Sequence, residues 1–300
     1  MSGIPPANSD PVTTVDVVIV NFNGGISLTE AVRALRDAGA VRVVVVDNAS
    51  TDDSIRRLDE SDAAVLIVRE RVNHGYGTAA NRGVAVCDTP YVLVMNPDVE
   101  IAPNTLRILA TTLDIQHDVG IVGPRIVDVD GTTYPSARRF PSIVLGAAHA
   151  FFGLFWPHNS WSAKYRNDVR RPADLAARDA DWVSGACALV RKVAFDSVGG
   201  FDEGYFMYVE DLDLCWRLHQ AGWRVLYEPR ATATHAQGLS TRAQPYKMLV
   251  AHHRSTWRFA AKSMTGGKRA LLVLVGAGLV VRFVAAVGKQ TVDEVTRRRA

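Results

Sequence analysis

The densest run of acid in the chain is Glu210-Asp211-Leu212-Asp213, three carboxylates in four residues, preceded by the aromatic stretch Tyr205-Phe206-Met207-Tyr208. Acids at a helix start are favoured by the macrodipole, so capping explains part of this charge. Repulsion between like charges and burial both raise carboxylate pKa values. A carboxylate tuned in that way can take a proton from a hydroxyl. A second candidate is Asn96-Pro97-Asp98, just past an apolar run. An acid in that position can hold a hard divalent cation, Mg²⁺ or Mn²⁺, which takes oxygen ligands. Such a cation neutralises charge that gathers on a diphosphate leaving group. A turn stiffened by proline is the simpler alternative. His235 is a candidate further ligand, since neutral imidazole is a common one. Arg138 and Arg139 could offer forked donors to phosphate, a solvated surface pair being the alternative; Trp182 and Gly185 join them as candidates for phosphate or acceptor contacts.

These residues must be positioned by the elements between them. Short apolar, β-branched runs at residues 15–20, 41–46, 64–69 and 91–95 predict four strands, and 119–123 a fifth. Helices are expected at 27–38, 52–60 (capped by Ser50), 78–87 and 103–117, the last opening on Pro103. Alternating units with fully apolar strands imply an α/β fold with a mainly parallel central sheet flanked by helices. Ligands of such sheets sit at the strands' carboxyl ends. Four successive ends carry Asn or Asp: Asn21 and Asn23, Asp47 and Asn48, Asn73, and Asn96 with Asp98. Turn preference accounts for one or two of these, not four. Further along, Asp130-Gly131 marks a hairpin turn. Strands are expected at 182–190 and 224–227, and helices at 209–221 and 244–262. Gly199-Gly200 gives a sharp turn before the acidic cluster, suited either to a plain loop or to close backbone approach.

The string Gly75-Tyr76-Gly77-Thr78-Ala79-Ala80 fits the dinucleotide pattern GxGxxG/A. It follows neither the first strand nor any strand directly, so nicotinamide binding is disfavoured. The 300 residues carry a net charge of only +3, with 48% hydrophobic residues, which fits an ordinary globular chain and gives no field that points to a nucleic-acid partner. Three widely spaced cysteines form neither a zinc motif nor an even disulfide set, and fit a reducing compartment. Residues 1–14 lack the basic and apolar regions of a signal peptide. Residues 1–11 are expected to be a flexible arm, 12–240 a catalytic domain and 241–300 a helical segment.

The ordered motifs VVIVNFNG, VVVDNASTDDS, NHGYGTAANRG, VLVMNPDV and WVSGACALVRKVAFDSVGGFDEGYFMYVEDLDLCWRLHQAGW resemble the family 2 glycosyltransferases of the GT-A (nucleotide-diphospho-sugar transferase) fold. The likeness covers roughly residues 15–240. NPD, ARRFPS and the GGFDExYFMYxEDxDLCWR pattern place it nearest the rhamnosyltransferase-like branch, and within that the actinobacterial rhamnosyltransferases of cell-wall arabinogalactan linker assembly. The resemblance implies an inverting transfer of L-rhamnose from a nucleotide-sugar donor, dTDP-L-rhamnose, to a polyprenyl-diphosphate-linked N-acetylglucosamine. It implies that Asn21 and Asn23 line the nucleotide pocket, that Asp47 bonds the base, and that Asn73, Asn81 and Gly83 shape the donor pocket, with Asn48 and Asn96 beside them. Asp98 would bind the metal with His235, and Asp211 would be the base, with Glu210 and Asp213 holding acceptor or geometry. The family's metal motif is Asp-x-Asp. Here its first position is Asn96, whose amide adds no charge. Another donor, such as UDP-galactofuranose, UDP-glucose or UDP-GlcNAc, and a non-catalytic glycan-binding scaffold are the alternatives.

Near the C-terminus, residues 270–288 are apolar over about the length of a bilayer span and are bracketed by Lys268, Arg269 and Arg297-Arg298-Arg299. Arg282 inside the stretch would cost about 2.5–3.5 kcal/mol at a bilayer centre. A helix lying in the interface avoids most of that cost. An interfacial anchor, a homodimer helix and a true span are the three arrangements weighed. The apolar residues 143–156 could guide a lipid-linked acceptor. The expected location is the cytoplasmic face of the membrane, held peripherally.

Overall fold

The computed structural model describes residues 15–58, 61–140, 176–236 and 245–299. The N-terminal arm and residues 143–156 lie outside the described residues. The first half follows the predicted alternation: β1 (Val15–Asn21), α1 (Gly25–Asp37), β2 (Arg42–Asp47), β3 (Val65–Arg69), α2 (Tyr76–Val84), β4 (Tyr91–Met95), β5 (Val99–Ile101) and α3 (Thr105–Ile115). Every residue of β1 and β4 is buried, at about 1.5–3 kcal/mol for each large apolar side chain removed from water. The period of two sorts these strands between two cores. Val17 and Ile19 face Leu28, Leu35 and Leu106, whereas Val18 and Val20 face Ala79, Ala80 and Val84.

The second half comprises β6 (Val119–Asp128), β7 (Ala137–Arg138), β8 (Arg178–Asp179), β9 (Trp182–Val183), β10 (Cys187–Arg191), α4 (Lys192–Ser197), α5 (Glu210–Gln220), β11 (Arg224–His235), α6 (Pro245–Ser263) and α7 (Leu272–Arg299). The main sheet runs β3-β2-β1-β4-β10-β6-β11-β5, with β8 on β11. It is mixed: β3, β2, β1 and β4 are parallel, while β10 lies antiparallel to both β4 and β6. An apolar run such as Cys187–Arg191 is buried on both faces whichever way it points, so its pattern does not announce its direction.

Several boundaries differ from expectation for identifiable reasons. The helix expected at 52–60 is only a 3₁₀ turn at Ile55–Arg57, and the Ser50 hydroxyl caps nothing. It accepts instead from Asn21 Nδ2 and the Asn23 N–H, both at 3.0 Å. Pro103 precedes the Asn104 N-cap of α3 rather than opening the helix. Strand 182–190 breaks at Ser184-Gly185-Ala186 into β9 and β10. The short strand at 224–227 continues to His235 through a register shift between Glu228 and Thr232; Pro229 cannot donate to a ladder, and such prolines sit at irregularities. The Asp130-Gly131 turn forms as expected: Gly131 has φ +82° and its N–H donates to the Asp128 carbonyl at 2.9 Å.

Candidate active site

The loops after β1, β2, β3 and β4 meet at one edge of the sheet. Asn21 is fully buried, and its Nδ2 donates to the Ser50 and Ser54 hydroxyls at 3.0 Å. Asn23, in the left-handed region at φ +55°, accepts from the Thr51 N–H at 2.8 Å. Asp47 Oδ1 accepts from the Ser50 N–H at 3.1 Å. The Asn48 amide donates to Asn73 Oδ1 and to the Gly75 carbonyl, both at 3.1 Å. These side chains therefore knit the strand-end loops together. Gly75 has φ +89°, and a Cβ there would run into the Phe206 carbonyl. That carbonyl accepts from the Tyr76 N–H at 3.0 Å. The glycines of the dinucleotide-like string thus serve close packing between the β3–α2 loop and the segment that leads into α5.

The acidic cluster opens α5. Tyr208 (φ +68°) and Val209 (φ +69°) precede it; two successive left-handed residues, one of them β-branched, form a strained entry that surrounding contacts must hold. Asp211 Oδ2 accepts from the Gly185 N–H at 2.9 Å, and Oδ1 from the Leu212 N–H at 2.8 Å. The break between β9 and β10 is what presents that Gly185 amide. Burial raises the pKa of Asp211, opposed by these two amides and the Arg138 charge. Glu210 is pushed up to about 8 by burial and by the neighbouring Asp211 charge. A buried Glu210 beside a half-buried Asp211, the first readily protonated and the second partly stabilised as an anion, is a pair suited to proton transfer.

Across Tyr76 lies the NPD corner. The Tyr76 hydroxyl donates to the Gly185 carbonyl at 2.6 Å. Its pKa is held well above the ordinary value by burial and then by the charges of Glu210, Asp211 and Asp98, so acids from two motifs converge on one ring. His235 Nε2 lies 3.2 Å from Asp98 Oδ1 and 3.5 Å from Asn96 Nδ2. The pairing of β5 with β11 brings them together by setting His235 opposite Val99. His235 Nδ1 is buried and makes no hydrogen bond among the described residues. Among those residues no group of three or more His, Cys, Asp or Glu forms a metal cage. A carboxylate, an imidazole and an amide nonetheless suit a cation that takes its remaining ligands from a diphosphate and water.

The remaining predicted residues divide. Arg138 is held by the Pro135 carbonyl and the Tyr134 hydroxyl, stacks within 5.1 Å of the Trp182 ring, and is close enough to act on Asp211. Arg139 is exposed; its carbonyl accepts from the Trp182 indole N–H at 3.1 Å. Asn81 joins α2 to the segment after Gly199-Gly200, donating to the Phe201 carbonyl and accepting from its N–H. Gly83 lies on the sheet-facing side of α2, where a Cβ would collide with Val18 and Val46, so its position fits helix-on-sheet packing. Asp213 is fully buried and bound to Arg217, Lys262 and Tyr205, which fits holding geometry rather than touching an acceptor. Sequence reasoning missed Tyr76; an aromatic between two glycines at a helix start was the available signal.

A family model described as glycosyl transferase family 2 matches residues 16–199. The chain belongs to that family and is a glycosyltransferase. It is 39% identical to the N-acetylglucosaminyl-diphospho-decaprenol L-rhamnosyltransferase of Mycobacterium tuberculosis over 269 residues, 85% of this chain and 87% of the relative. Rhamnosyltransferase WbbL of Escherichia coli is 29% identical over 62% of this chain and 71% of that one. Among solved structures, a mannosyltransferase of Pyrobaculum calidifontis in complex with GDP-Man and Mn²⁺ gives a TM-score of 0.56 at 17% identity, covering 93% of this chain and 75% of that one. GalNAc-T7 with UDP, GalNAc and Mn²⁺ gives 0.58 at 14% identity, covering 88% of this chain and 54% of that one. The shared architecture is the GT-A fold.

Proposed function

We propose that the protein transfers L-rhamnose from dTDP-L-rhamnose to an N-acetylglucosaminyl-diphospho-polyprenol in assembly of the arabinogalactan linker. The observation that carries the choice of sugar and acceptor is the 39% identity, sustained over 85% of the chain, to an enzyme of that name. The geometry around Asp211 supports a single-displacement reaction. An acceptor hydroxyl loses its proton to Asp211 as its oxygen forms a bond to the donor's anomeric carbon. The sugar–phosphate bond breaks on the opposite side, and its electron pair leaves with dTDP. One base suffices for a single displacement, so the configuration inverts. Asn21, Asn23, Asp47, Asn48 and Asn73 hold the nucleotide side. Asp98 and His235, with Asn96 beside them, would hold a divalent metal that neutralises diphosphate charge when bound. Glu210, protonated near neutrality, keeps a second negative charge away from the base, and Arg138 faces acceptor or phosphate.

The acceptor is a lipid, and α7 supports a membrane-surface location. The most apolar 18 residues within Gly266–Val292 have a mean hydropathy of 2.5, and 0% of them are buried. One side of α7 packs on α6 through Phe283 against His253 and Gly276 against Trp257. Val273, Leu274, Val280, Val281 and Val284 are exposed. With Lys268 and Arg269 at its start and Arg282 exposed midway, an interfacial anchor on anionic lipid is the reading we adopt.

The test is incubation with prenyl-diphospho-N-acetylglucosamine, Mg²⁺ or Mn²⁺, and labelled dTDP-rhamnose, beside UDP-glucose and UDP-galactofuranose. Chelator-sensitive label on the lipid from dTDP-rhamnose alone is the expected result. Label from a UDP-sugar instead would overturn the donor, and no label from any donor would overturn the acceptor.

A further inference from the structure

Helix α6 lies beyond residues 16–199, where the family likeness was matched, yet it touches almost every residue that leads into α5. Asp202 accepts from Arg258 Nη2 and Lys262 Nζ, both at 2.8 Å. The Arg258 guanidinium lies against the backbone of Gly204, where a Cβ would collide with it, and 5.2 Å from the Tyr205 ring. Lys247 Nζ sits 5.2 Å from the Phe206 ring. The buried Ser255 hydroxyl donates to the Met207 carbonyl at 2.9 Å. The His252 ring meets Tyr208 at 5.6 Å. Lys262 also reaches Asp213 Oδ1 at 2.8 Å, so one ammonium bridges the start of this segment and the first turn of α5.

The segment between those anchors contains the two left-handed residues Tyr208 and Val209. Such residues are strained and persist only where their surroundings over-determine them. On the opposite side the segment meets the start of α2, after the β3–α2 loop, through the Phe206 carbonyl and the Tyr76 N–H. Asp213 is fully buried, and α5 itself supplies it with Arg217. Its second cation comes from α6.

We propose that α6 is a clamp that sets the position of the Asp211 base, with Lys262 as its principal positioning residue and Ser255 and Arg258 as supports. The C-terminal helices are then part of the catalytic apparatus and not merely an attachment. Loss of Lys262 frees the first turn of α5 from the Asp202 loop, and Asp211 moves relative to Gly185 and the acceptor while the Asn-lined nucleotide loops stay in place. The kinetic part of the test rests on the proposed rhamnosyl transfer; the exchange part does not.

Three variants of the full chain, Lys262→Met, Lys262→Arg and Ser255→Ala, are compared with the parent by steady-state kinetics and by amide hydrogen exchange. Lys262→Met is expected to lower kcat at least tenfold with the donor KM within twofold of the parent. Lys262→Arg should recover most of the loss, because it restores a cation able to donate to both Asp202 and Asp213. Ser255→Ala, which alters no charge, should show a smaller loss with the same split. In Lys262→Met, residues 205–214 should exchange at least tenfold faster while residues 15–98 are unchanged. Unchanged exchange at 205–214 would overturn the clamp, whatever the kinetics. So would kcat within twofold of the parent, or equal loosening of residues 15–98, which would mark a general loss of stability. If the parent transfers no rhamnose, the proposed rhamnosyl transfer fails and exchange alone decides the clamp.

Discussion

Replacing Glu210 by glutamine should remove a pH-dependence of stability that the fold creates. Glu210 is buried, its Oε2 makes no hydrogen bond among the described residues, and Asp211 is its neighbour. Burial first, and then the Asp211 charge, push it from the ordinary 4.5 up to about 8. The native state therefore holds this proton more tightly than the unfolded chain does. The resulting stabilisation is fully present below pH 4.5, declines as pH rises, and is lost once pH passes about 8. At about 1.4 kcal/mol per pH unit, the ceiling on the loss across that window is about 5 kcal/mol. Glutamine is nearly the same shape as protonated glutamate and does not titrate. Urea unfolding of both proteins from pH 5 to pH 9 is the assay. The two should agree within about 1 kcal/mol at pH 5 and diverge steadily, with the variant the more stable by several kcal/mol at pH 9. Parallel curves would mean that Glu210 titrates alike in the folded and unfolded chains, and the reasoning about its burial would fail.

Asp211→Asn should cut kcat by about 10²–10⁴, the usual worth of a general base, with donor affinity within twofold by nucleotide-sugar titration; turnover near that of the parent would remove Asp211 from its role. Asp98→Ala should weaken donor binding in the presence of Mg²⁺ or Mn²⁺, and a chelator should erase the difference between variant and parent. Equal affinity with and without the chelator in both proteins would count against a metal at this corner. Aspartate at both Val281 and Val284, which are exposed, should abolish co-sedimentation with anionic vesicles and leave the melting temperature unchanged; continued sedimentation would defeat the membrane reading, and a shift from dimer to monomer would point to a partner helix.

The local signals in the sequence carried the first half of the molecule. The β-branched runs are the strands, Asn and Asp at four strand ends do gather at one edge, and the acidic cluster does open a helix. These features are set by periodicity and turn chemistry within a few residues, which a sequence displays directly. What the sequence could not display was pairing between distant segments. The antiparallel insertion of β10 between β4 and β6 presents the Gly185 amide to Asp211. The pairing of β11 with β5 brings His235 to Asp98 across 137 positions of chain. The packing of Gly83 against Val18 and Val46, and the burial of Asp213 between Arg217 and Lys262, likewise became legible only once their neighbours were known. Lys262 reads in the sequence as one more basic residue on an amphipathic helix. Only the docking of α6 makes it a partner of Asp202 and Asp213, because a charge takes its meaning from what lies within a few ångströms, and those distances are set by the whole fold.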